Sequence, residues 1–397
     1  MRALLVHNRY SSRVPSGENA VVDDEARWLR AQGVEVARHE VDNDSIVDPG
    51  PLARALDGLG AVWSVGARRR AARVLDEVRP DVVHVHNLFP LLTASVVAAA
   101  LDQGVPVVWT VHNFRLRCVA GTHFRDGRPC HDCRPGWKVP GVVHRCYAGS
   151  VAASALVGAA TTVYGALARR RGVTALPISR VMARWLVAAA GFPEAAVRVK
   201  YNGVAAPDGE VPPPEAQRDL VYVGRLAPEK GVGLLLDAFA RTRTDTRLVV
   251  VGGGPLEGAV RAAAAADPRI VPAGQVGVDD VERHLLGARA LVMPSVWQEP
   301  FGRVAAEALA RGRPVVTTGE GAAGEVVTPE VGWVTGTDPE ALAAAIDEAA
   351  ADDAAVAERG RRGRDRHARL FSPEATTAAL VAIYEEAVAR QREEAGR

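Results

Sequence analysis

Lysine is nearly absent from this chain. Of 48 basic residues only three are lysines, Lys138, Lys200 and Lys230. Arginine is the default cation, a bias that fits a GC-rich coding sequence, so each retained lysine carries more information than usual. Excess charge of either sign is also missing. A formal net charge of +1 gives no support to a nucleic-acid binder, which shows a basic excess. With 48% hydrophobic residues, disorder is excluded as well. The 397 residues correspond to two domains, or three, at about 100–200 residues each. The apolar start, Met1–His7, is too short for a signal peptide and predicts a first strand.

Long hydrophobic runs are scarce too. One uncharged stretch, Cys146–Ala168, reaches 23 residues, but eight are alanine, three are glycine and only five are leucine or valine. That is weak for a bilayer span, and Leu156, Ala160, Val163 and Leu167 recur at helical spacing, so a packed core helix is expected. Arg169-Arg170-Arg171 follows directly. A basic step beside an apolar helix allows weak contact with anionic lipid, against the simpler reading of a solvated cluster. Cysteines number four, in the pattern C-x11-C-x2-C-x12-C at Cys118, Cys130, Cys133 and Cys146. A four-cysteine zinc site normally shows two close pairs, and one C-x2-C exists here, with His123, His131 and His144 interleaved. A structural zinc and plain reduced thiols stand as equal readings. A disulfide or redox role comes third, because nothing directs the chain out of a reducing compartment. No catalytic role is assigned to the cluster.

What is present is alternation. Strands are predicted at Ala3–Asn8, Val34–His39, Val82–His86, Pro106–His112, Ala175–Ser179 and Val197–Asn202, with helices at Asn19–Gln32, Val65–Val78 and Ala94–Gln103. A proline-rich break at residues 205–214 precedes a second alternation. Its strands are Leu220–Gly224, Arg247–Gly252, Ile270–Ala273, Ala290–Pro294 and Pro314–Thr318. The fold class is therefore α/β, two doubly wound parallel-sheet units joined near residue 205, with the cleft between them as the expected site. Ser372-Pro373 opens a last helix whose stripe is Leu380, Ile383, Tyr384 and Val388.

Chemistry gathers at predicted strand ends. Arg225 and Lys230 flank a strand–helix turn, a position that suits a diphosphate; the alternative is surface charge. The run Gly252-Gly253-Gly254 fails a dinucleotide fingerprint because the third glycine would fall at Glu257, which leaves a phosphate-approach loop. In Ser295–Ala310, Pro300 predicts a helix first turn. Glu299 stands before that helix, Glu307 inside it, and the amides of Phe301, Gly302, Arg303 and Val304 at its start. A carboxylate in an alanine-rich helix is costly unless paired, which favours function over a plain core helix. In the first half, His7-Asn8 ends a strand, and Gly17 and Glu18 precede a helix.

These segments together resemble a family-4 glycosyltransferase of the GT-B fold. The resemblance rests on Gly224-Arg225-Leu226 with Glu229-Lys230-Gly231, Val250–Pro255, Glu299 followed seven residues later by Glu307, and Glu307–Val315. Weaker matches are Ser16-Gly17-Glu18, Asp81–Asn87 and Thr110–Asn113. It implies two Rossmann-like domains, 1–204 for the acceptor and 205–371 for the donor, a helix 372–397 that packs back on the first, and an insertion at 115–150. The last helix serves equally as a dimer contact on sequence alone, so monomer and homodimer both stand. The implied activity is retaining transfer of a sugar from a nucleotide diphosphate, uridine by default, to a hydroxyl acceptor. No cofactor is required.

The resemblance assigns Arg225, Lys230, Glu299 and His112 to catalysis. Gly17, Gly253, Gly254, Gln275, Val276, Phe301, Gly302, Arg303, Val304 and Glu307 are assigned to the donor, and Asn8, Glu18, His86 and Asn87 to the acceptor. Relatives often carry two glycines in the first loop where this chain has Gly17 alone. His84 and His86 compete with His112 as bases, His84 being the weakest candidate. A sugar-nucleotide epimerase of the same fold, and a silent nucleotide-sugar-binding protein, are the alternative readings. The expected location is cytoplasmic, in peripheral contact with the inner face of the membrane.

Overall fold

The computed structural model describes residues 1–11, 17–45 and 60–395. The chain separates into two compact units. The first comprises Met1–His123, Cys130–Gly203 and Thr376–Arg397, and the second Phe124–Pro129 and Val204–Ala375. Each carries its own parallel sheet, and the central strands, such as Val82–Val85 and Val107–Val111, are largely apolar and buried throughout because helices cover both faces.

In the first unit the strands are β1 (Arg2–Arg9), β2 (Glu35–Asp42), β3 (Val82–Val85) and β4 (Val107–Val111). A short antiparallel ribbon follows in sequence, β5 (Phe124–Arg125) with β6 (Arg128–Pro129), which belongs to the second unit, and then the first unit's β7 (Val173–Pro177). The sheet order is β2-β1-β3-β4-β7, all parallel. The chain leaves β1 toward β2 on one side and returns to β3 on the other. The switch point therefore lies between the carboxyl ends of β1 and β3, where such sheets form ligand crevices. The segment predicted as a strand at Val197–Asn202 is not one. Val197 makes a single bridge to Ala175, and Arg198 and Lys200 donate backbone N–H to Ala175 and Pro177 at 2.9 and 3.1 Å before the path turns away.

Helix Pro373–Ala395 completes this unit. Leu380, Ile383, Tyr384 and Ala387 are buried with Ala3, Leu5, Leu29 and Val82, and Val388 packs at the margin. Among the described residues one helix, Val151–Ala168, is long and apolar enough to cross a membrane, with mean hydropathy 1.6; half of it is buried. Its buried face runs through Val157, Ala160, Tyr164 and Leu167, while Leu156 and Val163 are only half-buried. The face is displaced from the predicted stripe because Gly165 lets the backbone of Leu116 approach. A Cβ there would lie 2.9 Å from the Leu116 carbonyl oxygen.

In the second unit the strands are β8 (Asp219–Val223), β9 (Leu248–Val251), β10 (Ile270–Gly274), β11 (Ala288–Met293), β12 (Val315–Thr317) and β13 (Gly332–Val334). Their order is β10-β9-β8-β11-β12-β13, again parallel. The switch point here falls between β8 and β11. A large cavity of this unit opens at the opposite, amino-terminal edge of the sheet, beside Arg218, Asp219, Arg247 and Arg289. Sheets of this kind bind ligands at the carboxyl edge.

Candidate active site

At the switch point of the second unit, the turn after β8 meets the loop after β11. Gly231 makes the meeting possible. It has φ 72°, and a Cβ there would stand 1.8 Å from the carbonyl oxygen of Pro294. Val296 N–H donates to the Glu229 carbonyl at 3.1 Å and ties the loops together. Lys230 Nζ then reaches both carboxylate oxygens of Glu299, at 3.1 and 2.9 Å, and lies 4.8 Å from the ring centre of Trp297. Ser295 Oγ and Trp297 Nε1 donate to Glu299 Oε2 at 3.0 and 2.8 Å. Glu299 is 5% exposed, so this buried carboxylate is fully paired. Arg225 pairs with Glu229 and stays largely exposed.

The helix after this loop begins at Arg303, with Gly302 in the left-handed region at its cap and no side chain closing it. Pro300 is therefore not in its first turn, contrary to the sequence expectation, because Gly302 breaks the path first. Arg303 Nε donates to Glu307 Oε1 at 2.8 Å, an i,i+4 pair that leaves Glu299 and Glu307 in separate ion pairs. Val304 lies in the helix's first turn, and Phe301 is buried with its ring 5.6 Å from Phe371. The Gly252–Gly254 loop packs on the turn after β8. A Cβ on Gly252 would sit 1.9 Å from the Gly224 carbonyl oxygen. Leu226 N–H donates to the Gly253 carbonyl, and the Gly254 amide is taken by Glu257 Oε1 at 3.0 Å. Gln275 is exposed and lies against Gly253, with Val276 half-buried beside it.

The first unit's switch point is built from polar groups. Asn8 is fully buried; its Nδ2 donates to Asn43 Oδ1 and its Oδ1 accepts from Leu91 N–H, both at 2.7 Å. Asn87 Nδ2 donates to the Asn8 carbonyl at 2.8 Å. Both asparagines thus shape the loops. Asn113 Nδ2 donates to Glu18 Oε1 at 3.0 Å, and burial raises the Glu18 carboxyl above its ordinary range. Gly17 is exposed at the first position of helix Gly17–Ala31. A small cavity is lined by Glu18, Asn87, Phe89, His112, Asn113 and Arg115.

Behind that cavity lies a cluster no motif announced. Lys200 and Glu25, both buried, form an ion pair. Around them stand His84, His86 and His112, with Tyr384 from the last helix. His86 Nδ1 meets His112 Nε2 at 3.0 Å, His84 Nε2 meets Thr110 Oγ1 at 2.7 Å, and Tyr384 Oη meets His84 Nδ1 at 2.6 Å. Burial holds all three rings well below the ordinary histidine range; for His112 the pKa falls to about 3. His84 and Lys200, ranked low or given no role from sequence, are thus members of the first unit's central polar group. The signal that could have found Lys200 is the scarcity of lysine.

Two sequence profiles match this chain. One, described as Glycosyltransferase Family 4, covers residues 15–206, and the other, Glycosyl transferases group 1, covers 217–352. A glycogen synthase from Mycobacterium tuberculosis is 30% identical over 322 residues, 77% of this chain and 69% of that one. The chain belongs to glycosyltransferase family 4. It is similar also to an uncharacterized glycosyltransferase, MJ1607, of Methanocaldococcus jannaschii, 32% identical over 34% of this chain and only 36% of the relative. Among solved structures, Anabaena Alr3699/HepE in complex with UDP-glucose superposes with a TM-score of 0.69 at 16% identity, covering 97% of this chain and all of the other. That likeness establishes the GT-B fold.

In the transferase the four cysteines, read from sequence either as a zinc site or as reduced thiols, carry no disulfide. Among the described residues, the one group of three or more histidine, cysteine or carboxylate side chains with ligand atoms within 4.8 Å is Glu25, His84 and His86. Cys118, Cys130, Cys133 and Cys146 are half-buried, form no disulfide and are not gathered in that way.

Proposed function

We propose that the enzyme transfers a sugar, with retention of configuration, from a nucleoside diphosphate to a hydroxyl acceptor. The second unit would take the donor and the first unit the acceptor. The observation that carries this reading is the Lys230–Glu299 pair at the β8/β11 switch point. It holds one cation for the diphosphate and one carboxylate for sugar hydroxyls within 3 Å of each other. An ammonium has three donors, and two contacts to Glu299 leave capacity for a phosphate oxygen. When the bond between the anomeric carbon and the phosphate oxygen breaks, Lys230 and Arg225 offset the charge that develops on the diphosphate. The acceptor oxygen bonds to the same carbon on the same face, and its proton passes to the departing phosphate. Arg303 and Glu307 would bind the ribose, Gln275 and Val276 the base. Uridine is favoured by the UDP-glucose complex of the Anabaena protein.

Two measurements test the donor reading. A nucleoside diphosphate at a hundred times its Kd should stabilise the enzyme by about 2.7 kcal/mol, read as a thermal shift. If uridine, guanosine and adenosine diphosphates all leave the midpoint unchanged, the donor site is lost. Gly17 provides the second. Among the described residues no atom lies within 4 Å of a Cβ built there, and its backbone is not in the left-handed region. Gly17→Ala should therefore fold with unchanged stability, within about 0.5 kcal/mol. If Gly17 approaches the donor phosphates, the same variant raises the donor KM roughly fivefold or more. An unchanged KM removes Gly17 from the donor site.

A further inference from the structure

Within the polar cluster of the first unit, two buried atoms have no hydrogen-bond partner and face each other: Glu25 Oε2 and His86 Nε2, 3.6 Å apart. One is a carboxylate oxygen and the other a ring nitrogen able to carry a proton. Leaving each unmade is costly in a buried site, and a movement of well under 1 Å joins them. The same three side chains, Glu25, His84 and His86, have the composition of a metal site. The surroundings do not fit a cation, because the Lys200 ammonium already occupies Glu25 Oε1. Both nitrogens of His84 are also engaged, by Tyr384 and Thr110. The arrangement is that of a proton-ordered chain.

The order follows link by link. Glu25 carries the negative charge that Lys200 balances, so it accepts, and His86 must place its proton on Nε2. His86 Nδ1 is then bare and accepts from its partner at 3.0 Å, so His112 carries its proton on Nε2. The remaining atom, His112 Nδ1, is a bare acceptor on a ring that lines the small cavity with Glu18, Asn87 and Arg115. The other histidines do not compete for the chain. The Tyr384 hydroxyl donates to His84 Nδ1, leaving the Nε2 proton for Thr110. His7 gives its Nε2 proton to Asn19 Oδ1, whose orientation is set by the Tyr10 amide, and accepts from Asn87 N–H on Nδ1.

We propose that Glu25, acting through His86, is a positioning residue that locks His112 in the Nε2–H tautomer, so that His112 offers a bare Nδ1 to a substrate hydroxyl. The proposal rests on the reading of His112 as a residue that touches substrate. The depressed basicity of His112 supports a role as hydrogen-bond acceptor that orients a hydroxyl, with the proton itself leaving on phosphate.

The test is long-range proton–nitrogen NMR of the full-length enzyme carrying 15N-histidine, with His112 assigned by its loss in His112→Gln. In the wild type at neutral pH, His112 should show a protonated Nε2 and a bare Nδ1. The opposite tautomer overturns the proposal. In Glu25→Gln the carboxamide donates where the carboxylate accepted, so His86 and His112 should both switch tautomer; an unchanged His112 overturns the lock. A kinetic cycle separates this from simple loss of structure. Glu25→Gln should lower kcat at least roughly fivefold in the wild type and less than about twofold in a His112→Ala background. Equal losses in both backgrounds mean that Glu25 does not act through His112. Full turnover in His112→Ala alone with the predicted tautomers intact would instead discard His112 as a substrate contact, leaving the tautomer lock standing.

Discussion

Lys230→Ala and Glu307→Ala are each expected to lower turnover at least roughly tenfold, read as release of nucleoside diphosphate from a nucleotide sugar. The two variants act at different atoms. Without Lys230, Glu299 keeps the Ser295 and Trp297 donors but loses its cation, and any diphosphate at the β8 turn loses a point charge. Folding should suffer less than turnover. The full cost of about 3–5 kcal/mol for breaking a buried pair does not apply, because the lysine side chain is 27% exposed and water can replace it. Lys230→Arg is the informative control. It restores charge, but a planar fork does not reproduce the contact with both Glu299 oxygens over Trp297, so rescue should be partial. In Glu307→Ala the helix keeps its backbone bonds while Arg303 loses its i,i+4 partner, so a loss of turnover reports the missing carboxylate. Near-wild-type rates in both variants would sink the donor-site assignment.

Acidification from pH 7 to pH 5 is expected to destabilise the first unit. Burial depresses His7, His84, His86 and His112 in the folded state below the ordinary histidine pKa of about 6.5. Below pH 6.5 the unfolded chain binds protons that the folded chain refuses. Stability from these groups is therefore complete above that point and lost as pH falls toward each folded value. For His112, held at about 3, the loss between pH 7 and pH 5 comes to about 2 kcal/mol. Glu18, with a raised pKa, works in the opposite sense at the acid end. Asp23, drawn down to about 2 by Arg9, matters only below pH 4. Urea midpoints at the two pH values check this, and His112→Gln should reduce the drop by about 2 kcal/mol. An equal drop in the variant would show that His112 is not held neutral by the fold.

The switch points of the two units were unequally legible in the sequence. Lys230 could be found because a rare residue sat inside a strand–turn pattern whose chemistry is local, and Glu299 lies in the same kind of turn. Lys200 was equally rare but carried no local pattern. Its partner Glu25 lies 175 residues earlier, on a helix where a carboxylate looks like part of a solvated face. Only the sheet order brings them together. Boundaries failed for a related reason. Pro300 is a good first-turn residue, yet the left-handed Gly302 two positions later set where the helix began. The alternating pattern at Val197–Asn202 looked like a strand, but the segment bonds to β7 at only a few backbone positions.

Tyr384 reaches His84 from a helix that follows the entire second unit in sequence. During synthesis, the first unit's histidine cluster therefore exists before its cover does. The 172 residues of Val204–Ala375 must emerge first, a delay of roughly 10–35 s at ordinary elongation rates. Until then Leu5, Val82 and their neighbours lack the Leu380–Ala387 face, and the buried polar groups remain open to water. The nascent first unit thus keeps apolar surface exposed until the last helix arrives, and the second unit can fold while the first waits.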